Sequence, residues 1–489
     1  MTLCIKFRNP LILYRLLIIL QCVFIVLFLL QNSDIKKLKS VANFQLNAKL
    51  NHSITRTKES VFSESFISTK TFENFAQGST QTNSCRTITT SRTDEKTRKH
   101  VNDHLRSLTS IRSYDSSTYS GSKEQTLNNQ SNQPSNCTFL KNDRGYIQHA
   151  LSIEEKHYPI AYSFVIHKNL KIFERLFRAV YHPQNYYCVH VDDKSSEEFK
   201  QEVSQFLSCF ENAFEPVTRE KVYWAHYSRL MADVHCLEGL NKFSDKKVQD
   251  GTGLAYKYVF NLCGQDFPIK TNFELVRALK ELNGRNECES IDLKRVKKLK
   301  RVQKGYSLST EADGYNAMRE DKNFDRPGVK FGPLGKQTGL FGGSAYFALS
   351  KPSVDFILTD EKVKEFFEWS VHTYSPDEHV WATLFRYKNV PGSVSERKKY
   401  DLNRALTRTR LVKWKNQDGP RGLFDTCHGK WQRQVCIYGA LDLAFLIESR
   451  HWFANKFDLE VDSSAVDCLD LYLREKAMKQ VEEQMKWYN

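Results

Sequence analysis

The sequence predicts an α/β domain with a largely parallel sheet, carried behind an N-terminal membrane segment. Two observations predict the fold. Short β-rich apolar runs, "IAYSFVIH" (Ile160–His167) and "NYYCVHVDD" (Asn185–Asp193), flank "LKIFERLFRAVYHP", where Ile172, Leu176, Phe177 and Val180 recur at helical spacing. Such a strand–helix–strand unit is the building block of a parallel sheet. A further strand, "YKYVFNLCGQDFPI", runs into a turn and then a helix, "NFELVRALKEL". The membrane segment is predicted by hydropathy alone, as follows.

Residues 1–9 form a short basic tail. "PLILYRLLIILQCVFIVLFLL", Pro10 to Leu30, is broken by one charge, Arg15, and is long enough to span a bilayer. Lys6 and Arg8 precede it while Lys36, Lys37 and Lys39 follow, so the flanking charge does not set its orientation. No small-residue cleavage site follows, which favours an uncleaved signal anchor. Residues 31–135 are rich in Ser, Thr, Asn and charge and bury too little apolar surface to offset ordering entropy, as in "SYDSSTYSGSKEQTLNNQSNQPSN". They read as a flexible lumenal stem. Glycosylation sequons stand at Asn51, Asn129 and Asn136.

The folded body spans residues 136–489. "FGGSAYFAL" reads as a strand after a glycine turn, "RQVCIYG" as a strand, and Leu469 to about Trp487 as a charged final helix. The net charge of +15 does not call for nucleic acid: residues 1–135 carry 18 Lys and Arg against 9 Asp and Glu, and the body carries 54 against 48. Ten cysteines lie beyond the membrane segment without a C-x-x-C zinc spacing, so disulfides in an oxidising compartment are the default.

Ligands of α/β sheets bind at the carboxyl ends of strands. "VIH" (Val165, Ile166, His167) and "VDDK" (Asp192, Asp193, Lys194) occupy such ends, and the two aspartates suit a ribose, a metal or a turn cap equally. "LKRVKKLKRVQK", Leu293–Lys304, is strongly basic; a solvated helix face is its usual reading, an acidic or sugar ligand the functional one. Arg433 and Lys456 are isolated cations beside aromatic residues, fit for surface salt bridges or for neutralising a diphosphate. In "YSPDEHVWATLF", Ser375 and Glu378 form a capping-box pattern around Pro376. A charged carboxylate at a helix start also suits a general base.

The stretches "AYSFVIHKNLKIFERLFRAVYHPQNYYCVHVDDKS", "NLCGQDFPIKTN", "LFGGSAYFALS", "TYSPDEHVWATL", "VPGS" and "HWFANKFDLEVD" occur in an order that resembles the core 2 β-1,6-N-acetylglucosaminyltransferases of glycosyltransferase family 14, from about Cys137 to Asp470. The resemblance implies a GT-A-like nucleotide-sugar transferase domain with a mixed, mostly parallel sheet flanked by helices, in a metal-independent variant. It implies Glu378 as general base and a UDP-GlcNAc site of Val165, Ile166, His167, Asp192, Asp193, Lys194, Trp224, Arg433 and Lys456. Acceptor contacts would come from Glu287, Arg295, Lys298, Lys399, Trp414 and Asn416, the last standing where the family has tyrosine. The implied disulfides are Cys85–Cys468, Cys137–Cys209, Cys188–Cys236 and Cys427–Cys436, with Cys263 a free thiol and Cys288 extra. A turn insertion, Lys246–Leu254, is absent from shorter members. The implied setting is the Golgi membrane as a single-pass type II protein, with UDP-GlcNAc and glycoprotein O-glycans as partners, a homodimer left open, and no cofactor or nucleic acid. Core 1 is the expected acceptor; a core 4 or I-branching enzyme, a xylosyltransferase and an inactive glycan-binding Golgi protein are the alternatives.

Overall fold

The computed structural model describes Cys85 and residues 133–294, 297–309, 317–324, 332–335, 338–394, 407–417 and 426–488. The segment Pro10–Leu30, Asn51, Asn129, Arg295 and Lys399 lie outside the described residues. Asn136 falls in the first described helix, Gln133–Asp143. Among the described residues no helix is long and apolar enough to cross a membrane.

The strand–helix–strand unit is realised as β1 (Ile160–Ile166), α1 (Leu170–Val180) and β2 (Tyr186–Val191). Helix α2 (Glu197–Leu207) leads to the short β3 (Ala213–Phe214), and α3 (Tyr227–Gln249) to β4 (Tyr258–Cys263). The insertion therefore lengthens α3 by its last turns and forms the loop after it. β5 (Asp266–Pro268) and α4 (Asn272–Leu282) follow, the helix closed by a Thr271–Glu274 capping box. Then come β6 (Glu287–Cys288), the one-turn α5 (Lys300–Gln303) and β7 (Phe347–Ser350). The C-terminal part supplies β8 (Arg410–Val412), β9 (Lys430–Gln432), β10 (Val435–Ile437), β11 (Phe453–Asn455) and α6 (Leu459–Tyr488).

The main sheet has six strands in the order β3-β2-β1-β4-β7-β6. The first four are parallel, and β7 and then β6 run antiparallel to their neighbours. Every residue of β1 and β2 is buried, as a parallel sheet covered on both faces requires. Tyr162, Phe164 and Ile166 face a core built with Phe173 and Phe177 of α1, while Ala161 faces a second core with Leu230 and Leu237 of α3. Phe177 is the hub of the first core, with ring centroids 5.0 Å from Tyr187 and 5.0 Å from Phe210. Each such ring contributes about 1.5–3 kcal/mol by leaving water.

The final helix differs from expectation. It begins at Leu459, not Leu469, and breaks at Asp462, whose φ of −159° and ψ of 96° are non-helical. Asp462 Oδ1 accepts the Ser464 amide, so the carboxylate caps the continuous part at a point hidden within an apolar motif. Disulfides join Cys85 to Cys468, Cys137 to Cys209, Cys188 to Cys236 and Cys427 to Cys436. Cys263 and Cys288 are free. Beside the Cys85–Cys468 bond, the buried Arg178–Asp470 pair at 2.5 Å ties α1 to α6.

Glycine is required at one close approach. A Cβ on Gly343 would lie 1.9 Å from the Glu289 carbonyl oxygen, and the Gly343 amide donates to the Glu378 carbonyl at 2.7 Å. Gly343→Ala must push these backbones apart. We expect a loss of about 1–3 kcal/mol in thermal or urea unfolding, and with it a displaced Glu378.

Candidate active site

Glu378 sits where three segments meet. Its residue run, Pro376–Glu378, is a 3-10 turn, and Ser375 before it has φ 50° and ψ 63° with no side-chain cap bond. The capping box expected from the sequence is therefore absent. The positive φ of Ser375 turns its side chain away, and the Glu378 carboxylate points instead to Lys298 Nζ at 3.1 Å and to Arg301 Nη1. The turn is fixed through the backbone: Ser375 N donates to Ala225 O at 2.8 Å and Tyr374 N to Arg301 O at 2.9 Å. The basic run is likewise not a long solvated face. Among its described residues only Lys300–Gln303 is helical, and Lys298 and Arg301 pair with Glu378.

Burial opposes ionisation of Glu378, but the charges and hydrogen bonds of Arg301 and Lys298 outweigh it and hold the carboxyl below its ordinary value. The carboxylate is thus ionised at neutral pH. Removing either cation should raise its pKa. For Arg301→Met we expect the acid limb of the kcat–pH profile to move to higher pH, because ionisation then requires a higher pH.

Asp377 precedes Glu378 in the same 3-10 turn. Burial pushes its carboxyl up to about 7, Arg229 pulling down and Glu378 and Asp233 adding to the rise. Its Oδ1 is buried and has no hydrogen-bond partner among the described residues.

The nucleotide-side candidates gather at the ends of β1 and β2. Val165 and Ile166 are buried, so only their backbone can face a ligand. Asp192 Oδ1 accepts the amides of Lys194 at 2.9 Å and Val222 at 3.1 Å, and Oδ2 accepts Lys194 Nζ at 3.1 Å. Asp193 turns away to Lys200 Nζ at 3.2 Å, which lowers its pKa by hydrogen bonding and charge. The two aspartates thus diverge. His167 is shifted down by desolvation and by the charges of Lys168, Lys194 and Lys456, with Asp192 opposing, which places Lys456 in the same cluster. Lys456 is held from both sides: its carbonyl accepts Tyr438 N at 2.9 Å, and Phe457 N donates to Gln265 O at 2.9 Å.

Trp224 is 41% exposed and meets Tyr374 edge-to-face at 5.7 Å, next to the Arg301 guanidinium over the same ring at 5.3 Å. It therefore joins the Asp192 side to the Glu378 side. Arg433 is exposed at the tip of the β9–β10 hairpin. Arg433 and Gln434 have φ of 48° and 68°, the left-handed pair of a two-residue turn without glycine. The Cys427–Cys436 bond anchors the hairpin, and Lys415 N donates to Gln434 O at 2.9 Å.

Of the acceptor candidates, Lys298 is on Glu378. Trp414, 41% exposed, bridges to Val435 beside the Arg433 turn, and Asn416 lies in the adjoining 3-10 turn. Glu287 is turned to Arg408, whose amide it accepts at 3.0 Å, and burial raises its pKa. Arg301 and Arg229 were missed by sequence reasoning; one hides in a basic run and the other in the first turn of α3, and only tertiary contact picks them out.

Residues 160–446 match the family profile of the Core-2/I-Branching enzyme. The β-1,3-galactosyl-O-glycosyl-glycoprotein β-1,6-N-acetylglucosaminyltransferase 3 of Homo sapiens is 42% identical over 345 residues, covering 70% of this chain and 74% of its own. The corresponding transferase 4 of Danio rerio is 42% identical over 344 residues, covering 70% and 76%. A further human transferase of the same designation is 41% identical over 351 residues, covering 71% and 77%. With its mixed, mostly parallel sheet and these matches, the chain belongs to the Core-2/I-branching enzyme family.

Proposed function

We propose that this protein transfers GlcNAc from UDP-GlcNAc to the 6-hydroxyl of GalNAc in core 1, Galβ1-3GalNAc, with inversion. The observation that carries the reading is the ionised, partly exposed Glu378 carboxylate, joined through Ala225 and Trp224 to the loop that binds Asp192. Glu378 takes the proton from O6 as O6 attacks C1; the bond from C1 to the diphosphate oxygen breaks, and UDP leaves with the electron pair. Arg433 and Lys456 stabilise that leaving charge. The relatives' names all specify a β-1,3-galactosyl acceptor, which favours core 1 over core 3 or I-type chains. The aromatic Trp414 provides a stacking face for a sugar, with Asn416 beside it; Glu287, in its pairing with Arg408, would need to turn to join them.

The reaction as proposed needs no divalent metal. Asp192 and Asp193 are committed to Lys194, Val222 and Lys200, and Arg433 and Lys456 supply the charge a metal would bring. Transfer by the full chain in detergent is expected to persist in excess EDTA; an absolute Mn²⁺ requirement contradicts the reading. The segment Pro10–Leu30 would anchor the enzyme in the Golgi membrane as a type II protein with residues 136–489 in the lumen. The same assay, with linkage analysis of the product, tests the activity itself.

A further inference from the structure

We propose that Arg229 and Asp377 form a polar pocket that recognises a ring hydroxyl of the donor sugar. This rests on the proposed transfer reaction and adds two residues to its donor site. Arg229 lies in the first turn of α3, and its side chain makes one hydrogen bond among the described residues, from Nη1 to Asp233 Oδ2 at 2.7 Å. Asp233 is fully buried and is fixed in turn by Asn261 Nδ2 at 3.1 Å and by Ser163 Oγ at 3.5 Å, one from β4 and one from β1. Asn261 also receives the Phe347 amide at 2.8 Å and donates to the Ala345 carbonyl at 2.8 Å. The Arg229 side chain is thus set by strands of the central sheet, while its remaining N–H groups stay available.

The turn that carries Asp377 is tied by the Ser375 amide to Ala225, four residues before Arg229, and Asp377 Oδ1 is a buried oxygen with no hydrogen-bond partner among the described residues. A folded protein seldom leaves such an oxygen unmatched. A guanidinium with spare donors and a carboxyl with an open oxygen together match a sugar hydroxyl, which both donates and accepts. Their place fits the donor rather than the acceptor. The segment Val222–Arg229 runs from the Asp192 carboxylate to the start of α3, and its Ala225 carbonyl holds Ser375, two residues before Asp377. The pocket therefore joins the nucleotide-side cluster to Glu378, the path a donor sugar must occupy if its C1 is to meet the base's substrate. The raised affinity of Asp377 for a proton accords with the burial of that oxygen.

The test compares UDP-GlcNAc with its 3-deoxy, 4-deoxy and 6-deoxy analogues in the full-length wild type, Asp377→Asn, Asp377→Ala and Arg229→Lys. A site built around a hydroxyl rejects the analogue lacking it by a large factor. Wild type is expected to lose about 10²-fold or more in kcat/KM for one analogue, and the Asp377 variants to lose most of that discrimination while still binding UDP as wild type does. UDP affinity also verifies that each variant is folded; if Asp377→Ala is not, Asp377→Asn carries the comparison. Unchanged discrimination in folded Asp377 and Arg229 variants overturns the pocket, as does a wild type indifferent to all three analogues. If wild-type enzyme transfers no GlcNAc at all, the reaction assignment fails instead.

Discussion

Replacing Glu378 by glutamine lowers kcat by about 10²–10⁴ and leaves UDP affinity unchanged. The substitution keeps size and hydrogen-bonding shape but removes the negative charge that accepts the acceptor proton. It also leaves Lys298 and Arg301 without their counter-ion, so local repulsion adds to the loss. UDP binding is expected to be spared because the nucleotide-side candidates Asp192, His167 and Lys456 lie at strand ends away from the Glu378 turn. The pH dependence gives a second signature. In wild type the carboxyl is held below its ordinary value, so the acid limb lies at low pH, with activity present above it and lost as pH falls through it. A glutamine variant with full activity would remove Glu378 from the mechanism.

Arg433→Gly is expected to lower transfer by about 10²–10³ without unfolding the enzyme, and Lys456→Ala by a comparable factor. The arginine variant separates function from fold. Arg433 holds a positive φ at the hairpin tip, a conformation costing a non-glycine residue about 1–3 kcal/mol. Glycine relieves this strain, so the hairpin should be as stable as before or more so. Lost activity with a retained or raised melting temperature then reports the missing charge alone. In the double variant the losses should combine to less than their product if both cations act on one leaving diphosphate. Retention of wild-type rates in either single variant would mean that leaving-group charge is stabilised elsewhere.

The parallel core was legible because its signals are local. Helical spacing around Ile172, Leu176, Phe177 and Val180 placed α1, and all four are buried; the helix "NFELVRALKEL" matches Asn272–Leu282 to the residue. What failed did so for tertiary reasons. The capping pattern at Ser375 is sound local grammar, but a left-handed Ser375 held by Ala225 and a carboxylate drawn to two cations override it. The start of α6 was missed because Asp462 breaks the helix inside an apolar motif. Arg301 and Lys298 lie in one basic run, and no periodicity separates the two residues that reach Glu378 from the exposed Lys294, Lys297 and Lys300.

The most direct measurement of the central claim is the product formed by the full chain from UDP-GlcNAc with core 1, core 3 and I-type acceptors, in EDTA, resolved by linkage. The account predicts GlcNAc β1-6 linked to the GalNAc of Galβ1-3GalNAc, formed faster than any product from the other two. No transfer to core 1, or a product on another hydroxyl, would contradict it.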